Sequence, residues 1–132
     1  MTENLSDYLN YRIQRSFETF KDAKLLAEHK SLNSCVNRLY YACFYAVSAI
    51  LYLKGIEPKT HKGVRIKFLE EFIKPGIVNK EFGKLFNDLY DLRQEGDYSD
   101  FITFDKDLID SLMNKCHDFL TRIESLIKSD LS

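Results

Sequence analysis

Glycine and proline are scarce in this chain, 5 and 2 among 132 residues. Tight turns draw on those two residues, so a fold of many short strands and turns is excluded. An excess of one charge is also missing: 19 Lys and Arg stand against 20 Asp and Glu, for a net charge of −1. That balance supplies no global field for DNA or anionic lipid, and neither DNA binding nor membrane attachment is expected. Cysteines spaced as metal ligands are absent. Cys35, Cys43 and Cys116 are odd in number, form no CxxC and lie among apolar residues, which points to buried thiols. Long hydrophobic runs are missing too. The most apolar stretch, Tyr40 to Leu53, falls short of the ~20 residues a bilayer span takes. The start, MTENLSDYLNY, is polar and acidic, without the apolar segment of a secretory signal, so a cytoplasmic location is expected. Phosphate-binding glycine loops, GxSxG, HExxH and paired Cys–His sets do not occur. His29, His61 and His117 are widely scattered. No metal, cofactor or assembled nucleophile–base set is expected.

What is present is helical periodicity. The 45% hydrophobic content suits a globular core, and the 30% charged content can cover its surface. Leu9, Ile13, Phe17 (or Ser16), Phe20, Ala23 and Ala27 recur at three- and four-residue steps, predicting a helix over about Ser6 to His29 with Ser6 as its cap. Leu32 to Ser34 reads as a short connection to an antiparallel neighbour. A second helix over about Ser34 to Lys54 is apolar on most sides, as suits a central helix or one facing a partner subunit. Gly55 ends it in the left-handed geometry of a C-cap. Thr60 caps a shorter helix to about Ile73, stopped by Pro75-Gly76. Asn79 opens a further helix that falters at Gly96, and Asp97 to Thr103 reads as a turn. Asp105 begins a last helix carrying Leu108, Leu112, Cys116, Phe119 or Leu120, Ile123 and Ile127. The expected fold is all-α, an up-and-down four-helix bundle with one short additional helix, in a single domain over 1–132.

Three segments carry chemical potential. Arg38, Tyr41 and Tyr45 share a face of the second helix, while Leu39, Tyr40 and Cys43 form its core seam. This is either ring packing or a polar-aromatic ligand or dimer face. Thr60-His61-Lys62-Gly63 at a helix start could hold an anion on its N–H groups, or could be a cap followed by exposed His61 and Lys62. Arg93 and Asp97, four apart, pair on one helix turn or line a site with Tyr98.

In this order, Asn37-Arg38-Leu39-Tyr40-Tyr41-Ala42, Pro58-Lys59-Thr60-His61-Lys62-Gly63 and Arg93 through Asp97-Tyr98 resemble segments of HEPN domains, the small stand-alone prokaryotic group. The resemblance covers nearly the whole chain. It implies a helical bundle that usually forms a homodimer and is encoded beside a minimal nucleotidyltransferase in a toxin–antitoxin-like pair. Active members are metal-independent ribonucleases with an Arg-x4–6-His motif, in which arginine steadies phosphate charge and histidine moves a proton. Counting from Arg93, the histidine position here is Tyr98. The resemblance then implies a non-enzymatic module, with Arg93, Asp97 and Tyr98 lining a nucleotide or phosphate site and Arg38, Tyr41 and His61 as second candidates. A ribonuclease using Arg93 and Tyr98 or recruiting His61, with RNA as ligand, is the alternative; a purely structural dimerisation module is the third. In such pairs the transferase attaches AMP to a tyrosine two positions past the histidine, where Asp100 stands here, so Tyr98 becomes the modification candidate.

Overall fold

The computed structural model describes the backbone of residues 3–98 and 104–131, and the side chains of residues 4–94 and 104–131. Every regular element in it is helical: α1 (Glu3–Glu28), α2 (Leu32–Leu53), α3 (His61–Phe68), α4 (Lys80–Tyr98) and α5 (Lys106–Leu131). A single π turn, Leu69–Ile73, prolongs α3, with the Lys74 N–H donating to the Leu69 carbonyl at 2.8 Å. Four long helices and one short one form the expected bundle. Along α1 and α2, Tyr8 meets Tyr52 and Arg15 meets Tyr45, so the two run antiparallel. Likewise α5 runs against α1, with Phe20 meeting His117, and against α4, with Phe82 meeting Phe119.

Helix α2 is the central rod, packed against every other helix. Cys35, Val36, Leu39, Tyr40, Ala42, Cys43, Ala46, Val47, Ala49, Ile50 and Leu51 are all buried along it. Each large side chain among them stabilises the fold by ~1.5–3 kcal/mol through apolar burial. All three cysteines are free and buried. The Cys43 and Cys116 sulfurs lie 3.1 Å apart, joining α2 to α5, and burial pushes the Cys35 thiol up to about 11, with Cys116 adding to the shift.

Several element ends differ from the sequence expectation. Helix α1 starts at Glu3, so Ser6 sits inside its first turns and is not the cap. Leu5 explains the extra turn, because it packs on the core and draws the preceding residues into the helix. On the core side of α1, Ser16 and Thr19 are buried, their hydroxyls donating to the Ile13 and Arg15 carbonyls at 2.6 and 2.8 Å, whereas Phe17 and Phe20 are half-buried. Leu32 to Ser34 belong to α2, and the connection is 29–31 instead. It closes α1 with paired bonds from Lys30 N–H to Ala27 and from Ser31 N–H to Leu26, around Lys30 at φ 61°. Gly55 closes α2 by the same device at φ 77°. Thr60, Asn79 and Asp105 cap α3, α4 and α5, accepting from Gly63, Glu81 and Leu108 N–H at 2.8–2.9 Å. Helix α4 passes through Gly96 to Tyr98, overriding the expected break. One glycine costs a helix ~1 kcal/mol, too little to stop one anchored on the core through Leu89 and Leu92. The rest of the expected turn, from Ser99 to Thr103, lies outside the described residues.

Candidate functional site

Tyr40 is the hub of a cluster where α2, α3 and α4 meet. Being one turn from Val36 and Cys43 on the buried stripe, its ring is fully enclosed, and Phe86 of α4 stacks on it at 5.7 Å with 8° between planes. Its hydroxyl reaches out of the core to His61 Nδ1 at 2.8 Å. His61 opens α3, and the Thr60 cap and the tight turn behind it set its position. A Cβ on Gly63 would lie 3.1 Å from both Pro58 Cβ and Thr60 Oγ1, so a side chain there would press on the capping turn. The imidazole stacks on Phe44 at 4.4 Å and meets the edge of Tyr41 at 5.8 Å. It is half-buried, correcting the reading of an exposed His61; Lys62 is exposed as expected.

Arg93 approaches from α4. Its guanidinium sits 4.7 Å from the Tyr40 ring centre, 5.5 Å from Tyr90 and 5.8 Å from Tyr41, and Nη1 donates to the Tyr41 hydroxyl at 3.2 Å. Its Nε is shielded from solvent and has no hydrogen-bond partner among the described residues. Two further guanidiniums flank it, Arg38 over Tyr41 at 5.0 Å and Arg65 over Tyr90 at 4.4 Å. Arg38 also donates to Asn37 Oδ1 at 2.8 Å. Among the described residues no carboxylate lies within ion-pair distance of these three arginines. Rings hold the cations in place by their quadrupoles without cancelling the charge.

Electrostatics then set the protonation of the pair. Burial, with Arg93 adding to it, holds the His61 imidazolium below its ordinary range, so the ring is neutral near pH 7. Burial pushes the Tyr40 phenol far above its usual value, although Arg93 opposes the shift, so it stays protonated. A protonated phenol enclosed in the core needs an acceptor for its hydrogen, and the partner at hand is Nδ1. Tyr40 therefore donates to Nδ1, and the ring proton of neutral His61 resides on Nε2, on the imidazole's other side. That nitrogen is a donor, suited to an anionic oxygen.

Of the residues singled out in the sequence, Arg93, Arg38, Tyr41 and His61 converge on this cluster. Asp97 and Tyr98 fall outside the described side chains, so their place at the site is an expectation only. Arg65, Tyr90 and Phe44 were missed. Their signal was available: Arg65 lies four residues after His61 and Tyr90 three before Arg93, the steps that share a helix face. The expected anion site on the α3 N-terminus is reduced, because Thr60 takes the Gly63 N–H and Tyr40 takes one side of His61. No metal-binding group of three or more His, Cys, Asp or Glu occurs among the described residues, and no helix there is long and apolar enough to cross a membrane.

The chain is similar in sequence to known proteins. A UPF0332 protein of Thermotoga maritima is 42% identical over 120 residues, covering 91% of each chain. Two proteins of Methanocaldococcus jannaschii, each named "Putative toxin", are 32% and 29% identical; the matches cover 89% and 99% of this chain and 80% and 97% of theirs. The family model described as "HEPN domain" matches residues 9–126, which takes in α2, α3 and α4 with the whole Arg93–His61 cluster. The chain belongs to the HEPN domain family.

Proposed function

We propose that this chain is a ligand-binding, regulatory HEPN protein of a toxin–antitoxin-like pair. In this reading it is a cytoplasmic homodimer that holds a nucleotide or other phosphate-bearing ligand and works with a minimal nucleotidyltransferase. The supporting observation is Arg93, a guanidinium fixed by three tyrosine rings, with an unpaired Nε and without a carboxylate partner among the described residues. Arginine's planar fork suits phosphate oxygens, and charge-assisted bonds of this kind are about twice as strong as neutral ones. His61 Nε2–H adds a neutral donor beside it, with Arg38 and Arg65 as flanking cations. The names of the two archaeal relatives support the toxin–antitoxin setting.

Calorimetric titration with AMP tests the site. Binding by the wild type that is lost in Arg93→Ala, with helical content retained, supports the reading; equal binding by both proteins refutes it. Co-expression with a neighbouring nucleotidyltransferase gene, followed by co-purification and mass measurement of Tyr98, tests the partnership. Failure to co-purify counts against it.

The closeness of His61 to Arg93 supports a second reading, RNA cleavage with His61 taking the part of the histidine missing from the motif. The protonation state weighs against it. A general base needs a free lone pair on Nε2, and a general acid needs an imidazolium that burial and Arg93 disfavour. Purified protein that cleaves RNA, with activity lost in both Arg93→Ala and His61→Ala, would reverse this preference.

A further inference from the structure

Three thiols stand apart from the Arg93–His61 cluster. Cys35 and Cys43 belong to α2 and Cys116 to α5, and all are free and buried. Cys43 and Cys116, 73 positions apart in the chain, bring their sulfurs to 3.1 Å in the seam between the two helices. Cys116 Sγ also lies 3.7 Å from the carbonyl oxygen of Leu39, one turn before Cys43. Cys35 is eight residues before Cys43, ~12 Å back along α2 by helical rise. A free cysteine packs as a small hydrophobe, and a single buried thiol needs no other account. Two in contact across a seam have a reaction open to them that neither has alone.

The folded geometry favours one half of that reaction and opposes the other. A disulfide holds its sulfurs at ~2.05 Å, so this pair has only about 1 Å to close. The attacking species in thiol oxidation, however, is the thiolate. Burial, and then the contact with Cys116, push the Cys43 thiol well above its ordinary range. Leu39 and Val47, one turn to either side of Cys43, are buried, as are Leu112 and Leu120 to either side of Cys116. That apolar seam keeps water and dissolved oxidants from both sulfurs, and the closed bundle is unreactive there. Helix α5 has its most extensive packing on α2. Separation of the two helices exposes both thiols, and their return sets the sulfurs in contact again.

We infer that Cys43 and Cys116 are a modification site for peroxide, a dithiol that becomes a disulfide latch between α2 and α5 when the bundle opens and recloses. In the open chain one thiolate attacks an oxygen of hydrogen peroxide. The O–O bond breaks, hydroxide leaves with the thiol's proton as water, and a sulfenic acid, S–OH, remains. On reclosure the other sulfur attacks the sulfenic sulfur. An S–S bond replaces the S–O bond, and hydroxide leaves with the second thiol's proton as a second water. Two electrons pass from the sulfur pair to one peroxide, which is reduced to two waters. Opening thus starts the reaction, and the native seam completes it by supplying the second sulfur. The latch closes a loop of 73 positions and restrains how far the unfolded chain can spread. It does not rest on the phosphate-binding reading of Arg93.

Incubation of the full chain with hydrogen peroxide, with and without sub-denaturing urea, tests the site, followed by denaturation and alkylation with iodoacetamide. Mass spectrometry and peptide mapping should find a Cys43–Cys116 crosslink, the loss of two hydrogens and alkylation at Cys35 alone. Crosslinking should run faster in urea, because opening precedes reaction. The crosslinked chain should melt roughly 5–15 °C above the reduced one, and a dithiol reductant should abolish the difference. Cys35→Ala should crosslink as the wild type does. Cys43→Ser should lose both the crosslink and the gain in Tm. If serine there prevents folding, Cys43→Ala, which puts no polar group into the seam, serves in its place with the same expectation. Three alkylated cysteines after peroxide, oxygen added to a cysteine without a crosslink, or a crosslink through Cys35 or between two chains would each overturn the assignment. Equal crosslinking rates with and without urea would overturn the requirement for opening. An unchanged or lower Tm of the crosslinked chain would overturn the latch.

Discussion

Changing Tyr40 to Phe removes a single oxygen from the centre of the site. The ring would keep its stacking on Phe86 and its contact with the Arg93 guanidinium, so the variant isolates the hydroxyl's bond to His61 Nδ1 at 2.8 Å. Its net contribution is about 1 kcal/mol, because His61 is only half-buried and water can replace the lost partner. For a chain of this length, an unfolding entropy near 2.1 cal/mol/K per residue converts that loss to a fall in Tm of about 4 °C. A second effect follows from the donor's direction. Without the hydroxyl, Nδ1 no longer has a fixed donor, and the ring proton redistributes between the two nitrogens. Thermal unfolding measures the first effect. Nitrogen NMR shifts of His61 measure the second, with Nε2 the protonated nitrogen in the wild type and mixed character in the variant. A wild-type His61 protonated on Nδ1 at neutral pH would refute the assignment of donor and acceptor. An unchanged Tm would refute the claim that the bond contributes to the fold.

Other perturbations test separate parts of the argument. Because the His61 pKa lies below its usual 6.5 in the folded chain, the unfolded chain binds the extra proton first as pH falls. This contribution to stability is present above pH ~6.5 and lost progressively below it, and Arg93→Gln should shrink it; denaturant midpoints from pH 8 to 5 would show both. Lys30 holds a left-handed backbone at φ 61°, which costs an L-residue ~1–2 kcal/mol, so Lys30→Gly should raise Tm by a few degrees after glycine's greater unfolded entropy is deducted. A fall in Tm would count against strain at that turn. Gly83→Ala should not bring the usual helix gain of ~1 kcal/mol, because the new Cβ would meet three Ile73 side-chain atoms at 3.1–3.3 Å. A double-mutant cycle with Ile73→Ala should show coupling of at least ~0.5 kcal/mol, and additive effects would sink the explanation.

Helix identity and the inward stripes were legible from one-dimensional order alone. Leu9, Ile13 and Ala23 on α1, Leu39, Tyr40, Cys43, Val47 and Ile50 on α2, and Leu112, Cys116, Ile123 and Ile127 on α5 lie on the faces that spacing turns inward, and all are buried, whereas Ala27, Leu53 and Leu108 on the same faces are half-buried. Local chemistry also sufficed for Gly55, Thr60 and Asp105, since turns and caps depend on a few neighbouring residues. Exact ends were less legible. Leu5 and Leu32 extend α1 and α2 by packing on the core, a gain no local window contains.

Part of the site could be read in the same way: Arg38, Tyr41 and Tyr45 are neighbours on one helix, and their spacing states as much. Its decisive contacts could not. His61 and Arg93 lie 21 and 53 positions from Tyr40, on two other helices, and nothing in their spacing says that they meet on one ring. Nor does overall charge disclose that five of the six arginines lie over tyrosine rings with no carboxylate within 4.0 Å among the described residues. Periodicity tells which face of a helix turns inward. How far each helix is rotated against its neighbours, and therefore which polar residues at the edges of those faces converge, is decided only when side chains of definite volume close together into one core.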